Sequence, residues 1–338
     1  MLPRRCRIVL CLMAVCVPAN GWAQTALSVP AVSESPPYRI YPSASPAINA
    51  SPDTNGVIPA TGFAPPLIAN PDTYEAPPTP AAPPSCRLIT DARLNYTSVP
   101  GRNTGDIDMS DIELGSTWNL NWGLAPLKIS PYIAAHLWNI GDANPFLYLY
   151  DLNVEFAWRP RLFEWLFVDL AVTPGLYTDF KDVNGSSFQM RGRAAAIVAF
   201  SEKLQLVGGV MYVNRNHITW LPAGGVIWTP SADTRFFLVF PQPKISQRLC
   251  MLGTAPVWGY FAGEFGGGRW EVERSPGIHD SLDYTDWRLL AGLEAGAADS
   301  VRGYLEFGYV FNRRVNYLSS SADLSLPSTA MVRVGFRY

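Results

Sequence analysis

The stretch Leu147-Tyr148-Leu149-Tyr150-Asp151-Leu152-Asn153-Val154-Glu155-Phe156-Ala157-Trp158 decides the fold. Tyr148, Tyr150, Leu152, Val154, Phe156 and Trp158 share one parity, and Leu147, Leu149, Asp151, Asn153, Glu155 and Ala157 share the other. Side chains alternate across a strand, so the segment reads as a strand with one apolar and one mostly polar face. The pattern recurs in Ile112, Leu114, Trp118, Leu120 and Trp122, opposed by Glu113, Thr117, Asn119 and Asn121, with Ser116 the one polar interruption. Near the end, Trp287, Leu289, Ala291 and Leu293 alternate with Asp286, Arg288 and Glu294, and Val301, Leu305, Phe307, Tyr309 and Phe311 with Arg302, Tyr304, Glu306 and Asn312. No stretch shows a comparably persuasive helical period.

Working outward, the pattern predicts strands near 87–96, 110–122, 128–138, 147–158, 164–177, 187–200, 203–213, 219–229, 234–240, 244–250, 256–266, 284–296, 301–312 and 328–338. Most approach the roughly 9 to 11 residues with which a tilted strand crosses a bilayer. Pro241 and Pro243 bracket the connection between the ninth and tenth candidates, which are short, so the expected count is twelve or fourteen. Connections alternate in length: 97–109, 139–146, 178–186, 267–283 and 313–327 are long, and those between are mostly short. Short turns on one side and long loops on the other suit a transmembrane barrel. The expected fold is all-β, an antiparallel up-and-down barrel over 87–338.

Composition agrees. Charged residues make up 16% of the 338, against about 25% in ordinary soluble domains. The formal net charge is -2 and no basic block occurs, which excludes a nucleic-acid binder. Arg4, Arg5 and Arg7 precede an apolar run from Ile8 to Val17 and then Gly21, Trp22 and Ala23, the layout of a secretory signal over 1–23. Residues 24–86 are rich in proline, with Pro36-Pro37, Pro65-Pro66, Pro77-Pro78 and Pro83-Pro84, and read as a disordered linker. Removal of the signal leaves Cys86 and Cys250, which in an oxidising envelope either pair or remain thiols.

In the final strand, Val332, Val334, Phe336 and Tyr338 face one way and Arg333, Gly335 and Arg337 the other. With Phe336 and the terminal Tyr338, it resembles the signal that bacterial outer-membrane barrels present to their insertion machinery. The chain also resembles an uncharacterised family of bacterial outer-membrane β-barrel proteins, a domain of unknown function. The likeness rests on Phe156-Ala157-Trp158-Arg159-Pro160, Val172-Thr173-Pro174-Gly175-Leu176-Tyr177, Leu221 to Pro230, Phe240-Pro241-Gln242-Pro243-Lys244 and Gly308-Tyr309-Val310-Phe311-Asn312-Arg313. It implies the barrel and an outer-membrane location, and brings neither substrate nor catalytic residues.

If the apolar faces meet lipid, the lumen collects Asp151, Glu155, Asp169, Arg191, Arg193, Arg235, Arg248, Glu264, Arg288, Glu294, Arg302, Glu306, Arg333 and Arg337. Glu155 and Asp169 should form cross-strand ion pairs with the arginines of the next strand. Two readings compete: these charges border a porin-like pore, or they form a neutralising network filling a closed lumen. Trp122, Trp138, Trp158, Trp165, Trp220 and Trp228 stand at strand ends and suit aromatic belts, although Trp138 falls on the inward face.

Chemistry beyond this has little support. His136, His217 and His279 lie on different elements, no G-x-S-x-G occurs, and no enzyme, metal or cofactor is expected. Gly266-Gly267-Gly268-Arg269 lacks a phosphate-loop ending and reads as a flexible loop start. Asp106, Asp108 and Asp111, and Asp280, Asp283 and Asp286, lack calcium-loop spacing and read as solvated loop carboxylates. The expected partners are outer-membrane lipid and the insertion machinery, with a homo-oligomer open. An outer-membrane-bound hydrolase and a periplasmic ligand-binding β-sandwich are the alternatives.

Overall fold

The computed structural model describes residues 89–338 apart from 103–105, 122–124, 140–145, 182, 276, 297–299 and 321–322. The signal segment 1–23, the linker 24–86, Cys86 and Trp122 lie outside the described residues.

The strands are β1 (Ile89–Val99), β2 (Asp108–Leu120), β3 (Leu127–Asn139), β4 (Leu147–Trp158), β5 (Arg161–Phe163), β6 (Leu166–Thr178), β7 (Phe188–Ser201), β8 (Leu204–Tyr212), β9 (Trp220–Ser231), β10 (Thr234–Phe240), β11 (Lys244–Leu252), β12 (Ala255–Ser275), β13 (Ile278–Ala295), β14 (Arg302–Tyr317), β15 (Leu324–Leu326) and β16 (Thr329–Arg337). Each long strand pairs antiparallel with its sequence neighbours, and β1 pairs with both β2 and β16, for example Tyr96↔Val334, which closes the ring. Setting aside the three-residue β5 and β15, fourteen strands form the wall. Closure leaves no free sheet edge to aggregate. No helix among the described residues is long and apolar enough to cross a membrane, which is silent about strands.

Alternation fixes which face points where. Leu94, Ile112, Leu114, Ile133, Val172, Leu206, Leu238, Ile245, Phe261, Leu289, Phe307 and Val334 are exposed all round the outside, while Asp111, Asp151, Asp169, Arg288 and Arg333 are buried inside. A soluble sandwich would turn these faces the other way. An apolar exterior of this extent far exceeds the isolated patches that soluble monomers expose.

Two expected loops are corrected. The span 267–283 is a hairpin: β12 and β13 pair through it from Val257↔Ala295 to Ser275↔Ile278. Trp270, Val272, Leu282 and Tyr284 are buried there, so the hairpin has its own apolar inner face. The glycine run that read as a loop start is instead strand, and it bends. Gly267 has φ +104, and a Cβ on it would stand 1.8 Å from the Tyr284 carbonyl oxygen. In 313–327, β14 runs on to Tyr317 and β15 pairs with it at Arg313↔Leu326 to Val315↔Leu324. β10 is the shortest wall strand, 7 residues against 21 in β12, so the rim is low there and rises on the neighbouring β12–β13 hairpin.

Candidate functional site

The inward residues of β4, β6 and β7 meet in one ion-pair layer. Arg193 Nε donates to Asp169 Oδ2 at 3.0 Å, and its Nη1 donates to Glu155. Arg159 Nε takes the other Asp169 oxygen at 3.0 Å. Arg193 thus joins neighbouring strands and satisfies two buried carboxylates at once. A second layer centres on Arg333, whose Nη1 reaches Glu306 at 2.8 Å and Glu264 at 3.1 Å while Nε donates to Thr97 at 3.0 Å. Tyr260 donates to the other oxygen of Glu306 at 2.7 Å. Arg288 holds Asp286 at 2.9 Å, and Arg337 holds Asp91.

The remaining expected lumen charges fall less deep or pair differently. Arg191 lies 3.8 Å from the centre of the Tyr177 ring, and Arg235 lies 4.5 Å from that of Trp258. Arg302 Nη1 stands 3.8 Å from buried Glu294. Arg248 sits at the rim, partly exposed and paired with Asp233 of the β9–β10 turn, so it lines an entrance and not the lumen centre.

Above these layers the β12–β13 hairpin crosses the mouth. At its foot β12 pairs with β11, ending at Lys244↔Ala262, yet Glu271 pairs in parallel with Thr178 of β6, on the far wall. Trp270 is fully buried beneath it and donates its indole N–H to Asp151 of β4 at 2.5 Å. Its ring meets Trp138 edge-on at 5.5 Å and His136 at 5.3 Å. His136 is itself held by Asp111 at 2.8 Å and stands 3.5 Å from Asp151. The free edge of β12 is satisfied by side chains: Arg215 donates to the carbonyls of Gly266 at 2.9 Å and Gly267 at 2.6 Å, and Gln189 to that of Arg269 at 3.0 Å. Desolvated backbone carbonyls need such partners. Asn216 ties the second strand, its N–H donating to Asp283 at 2.7 Å.

Two apolar clusters complete the filling. One gathers Trp138, Leu149, Tyr177, Trp270, Tyr284 and Val310 under the hairpin, and the other Ile197, Met211, Leu221, Phe237, Val239 and Phe265 behind β7–β10. Apart from Gln205 and Arg235, β8–β10 are therefore largely apolar on both faces, a feature that simple alternation did not reveal.

The acidic triplets are not loose in solvent. Arg313 reaches Asp106 at 2.8 Å, Asp111 holds His136, Asp280 accepts from Ser319 and Arg274, and Asp286 from Arg288 and Tyr284. Asp108 accepts from the Gly101 N–H. Among the described residues no three His, Cys, Asp or Glu side chains are placed to hold a metal ion. Sequence reasoning named Asp111 and His136 without joining them and passed over Trp270; the parity of His136 with inward Tyr132 and Ala134 was the available signal. Cys250 is disulfide-bonded. On the outer face Trp118, Trp165 and Trp228 crowd the short-turn end and Trp220 the long-loop end, all exposed; Phe336 and Tyr338 also face outward. Trp158 is half-buried and donates to the Ala125 carbonyl at 3.2 Å, whereas Trp138 is wholly internal.

No family model matches the chain, so the resemblance to an uncharacterised barrel family rests on the quoted stretches alone. No curated protein matches either. Solved structures similar to the chain include LpxR from Salmonella typhimurium, with a TM-score of 0.39 and 10% identity, covering 74% of this chain and 99% of that one. Outer membrane phospholipase A from Escherichia coli gives a TM-score of 0.30 and 14% identity over 73% of this chain and 95% of that one. A BenF-like porin from Pseudomonas fluorescens Pf-5 gives 0.26 and 8% over 73% and 97%.

Proposed function

We propose that the chain is an exported bacterial outer-membrane protein acting as a porin-like passage that its β12–β13 hairpin holds shut, passive and not catalytic. The apolar exterior with aromatic side chains at both ends supports placement in a bilayer, with lipid as its outer partner. The observation that carries the gating is the way the hairpin is fastened. A permanent wall is sealed by a ladder, whereas across the lumen this hairpin has, among the described residues, a single ladder pair, Glu271↔Thr178, reinforced by side-chain hydrogen bonds from Arg215, Gln189 and Trp270. Gly267 supplies the bend about which it swings.

The test is single-channel recording in a planar bilayer. The native chain is expected to stay closed most of the time, and the double variant Arg215→Ala/Trp270→Ala to show discrete, long-lived openings. Folding of both is checked by heat-modifiable gel mobility. A folded double variant that never conducts overturns the passage and favours the second reading, a structural envelope protein. The observation behind that reading is the filled lumen, with Arg193 and Arg333 each neutralised by two buried carboxylates.

A further inference from the structure

The wall has a notch beside β10. Its last residue, Phe240, pairs with Gly224, four residues below Trp220, the exposed tryptophan at the long-loop end of β9. The sheet therefore stops about 13 Å short of that tryptophan, measured along the strand. Across the gap, the Gly263 and Phe265 N–H groups of β12 donate to the carbonyls of Pro243 at 2.8 Å and Pro241 at 3.3 Å. Above Phe265, among the described residues, this edge of β12 meets the side chains of Arg215 and Gln189 and no strand until Glu271. Residues 241–243 form the sill, 220–223 and β12 the sides, and Arg215 the bar.

At the notch the outside of the barrel runs into the inside. Phe265 lies directly opposite Trp287 and shares the face of β12 that bears Phe261, which is 71% exposed. Yet Phe265 is buried in the inner cluster with Met211, Leu221, Phe237 and Val239. Phe240, half-buried against the same cluster, meets Trp287 at 6.2 Å, and Phe265 meets it at 5.1 Å. Apolar surface is thus continuous from lipid to lumen. Such a surface offers a hydrophilic solute no hydrogen bonds and favours hydrocarbon.

At the top of this cluster stands a cation without a counter-charge. The pair Gly192↔Tyr212 sets Arg191 level with Val213 of the cluster, and Arg191 is only 3% exposed. Its guanidinium rests on the Tyr177 ring and reaches Gln189 at 3.4 Å, while its Nε has no hydrogen-bond partner. Among the described residues no carboxylate pairs with it, and Arg215 lies within electrostatic reach to repel it. The buried Arg193, Arg288, Arg313 and Arg333 each hold at least one carboxylate. Buried charges are normally paired, so Arg191 calls for an oxyanion from outside the chain.

We propose that the swinging hairpin opens the lumen sideways through this notch, and that the solute is a long-chain amphiphile with an anionic head. The chain lies on the β7–β10 cluster and the head on Arg191. In the closed protein the cluster packs on itself and Arg215 bars the way. Route and solute class rest on the gated-passage reading above.

The probe is a long-chain alkyl sulfate with a photoreactive diazirine midway along its chain, dissolved in phosphatidylcholine vesicles that hold the full chain, with adducts mapped by mass spectrometry. The Arg215→Ala/Trp270→Ala protein is expected to carry adducts on Met211, Val239 and the sill residue Phe240, well above the native chain. Adding Arg191→Met, with folding checked by heat-modifiable gel mobility, should cut them about tenfold, the loss of one charge-assisted hydrogen bond. The matching alkyl trimethylammonium probe should label these positions weakly with or without Arg191. Adducts confined to lipid-facing Leu206 and Leu238 overturn the proposal. Adducts on Trp138 and Tyr284 without Phe240 put entry at the aqueous mouth and overturn the sideways route, and equal labelling by the two probes overturns the anionic head. Ion conduction without inner adducts keeps the passage and removes this solute; inner adducts in a protein that never conducts remove the ion passage and keep the entry from lipid.

Discussion

The indole N–H of Trp270, carried by the β12–β13 hairpin, ends 2.5 Å from a carboxylate oxygen of Asp151 on β4, joining opposite walls of the barrel. Among the described residues no ladder pairs β12 or β13 with β4, so this contact measures how firmly the mouth is closed. Trp270→Phe keeps most of the packing against Trp138 and deletes the donor. Leaving a buried carboxylate oxygen short of a donor costs about 1–3 kcal/mol. Urea unfolding from lipid vesicles should show that loss for Trp270→Phe, and an unchanged midpoint would show that the contact carries no weight.

Arg193 serves two carboxylates, Glu155 and Asp169, both buried. Replacing it by Met takes the shared cation from both, and although Asp169 keeps Arg159, the buried Glu155 loses its ion-pair partner, at a cost of about 3–5 kcal/mol. The double variant Arg193→Met/Glu155→Gln should recover much of that loss, because the Glu155 charge is removed together with its partner. The check is the same unfolding titration on both variants. A single substitution as stable as the native chain would contradict the pairing.

This layer was readable from the sequence and the hairpin was not, for a definite reason. Glu155, Asp169 and Arg193 sit on neighbouring strands, and parity alone places them on one face. The Trp270–Asp151 contact joins residues 119 positions apart in the chain. It depends on a bend at Gly267 that leaves no periodic trace. Glycines at 266–268 signal a departure from regular strand, yet a flexible loop and a bent strand share that signal. The apolar interior of β8–β10 was hidden similarly. When both faces are apolar, alternation disappears, and Val207, Met211 and Leu221 cannot be told from lipid-facing neighbours. His136 looked isolated because its partner Asp111 comes from the preceding strand.

The bend itself can be tested. At φ +104 a non-glycine residue is strained, and a methyl group on Gly267 would collide with the Tyr284 carbonyl. Strain of this sort costs about 1–3 kcal/mol. Gly267→Ala should keep the barrel and loosen the hairpin, seen as faster amide exchange over 268–282 with the wall strands unchanged. Equal protection in both proteins would show that the bend does not need glycine.

Orientation of the faces predicts which tryptophans lipid can touch. Trp118, Trp165, Trp220 and Trp228 are exposed on the outside, near the strand ends, whereas Trp138, Trp258 and Trp270 are buried. In vesicles of lipids brominated close to the headgroup, single-tryptophan proteins retaining Trp220 or Trp228 should be strongly quenched. One retaining Trp258 should not. Equal quenching of both classes would reverse the assignment of inside and outside.

Asp280 stands near the hairpin tip, beyond the level at which β10 and β11 end, and it ties the hairpin to the segment after β14. Burial by itself raises its carboxyl, but hydrogen bonds from the Ser319 hydroxyl and N–H, the Ser281 N–H and Arg274 outweigh it and hold it below its ordinary 3.8. A carboxyl depressed in the folded state contributes its stability above the unfolded value and loses it as pH falls through the folded one. The tie should therefore hold at neutral pH and weaken only below about 3.8. Amide exchange at Ser319 and Ser281, corrected for its intrinsic pH dependence, should rise over that acid range in the native chain. In Asp280→Asn the same amides should exchange faster already at neutral pH, with no further acid step. Exchange that stays flat through the acid range in the native chain would remove Asp280 as the anchor of the hairpin tip.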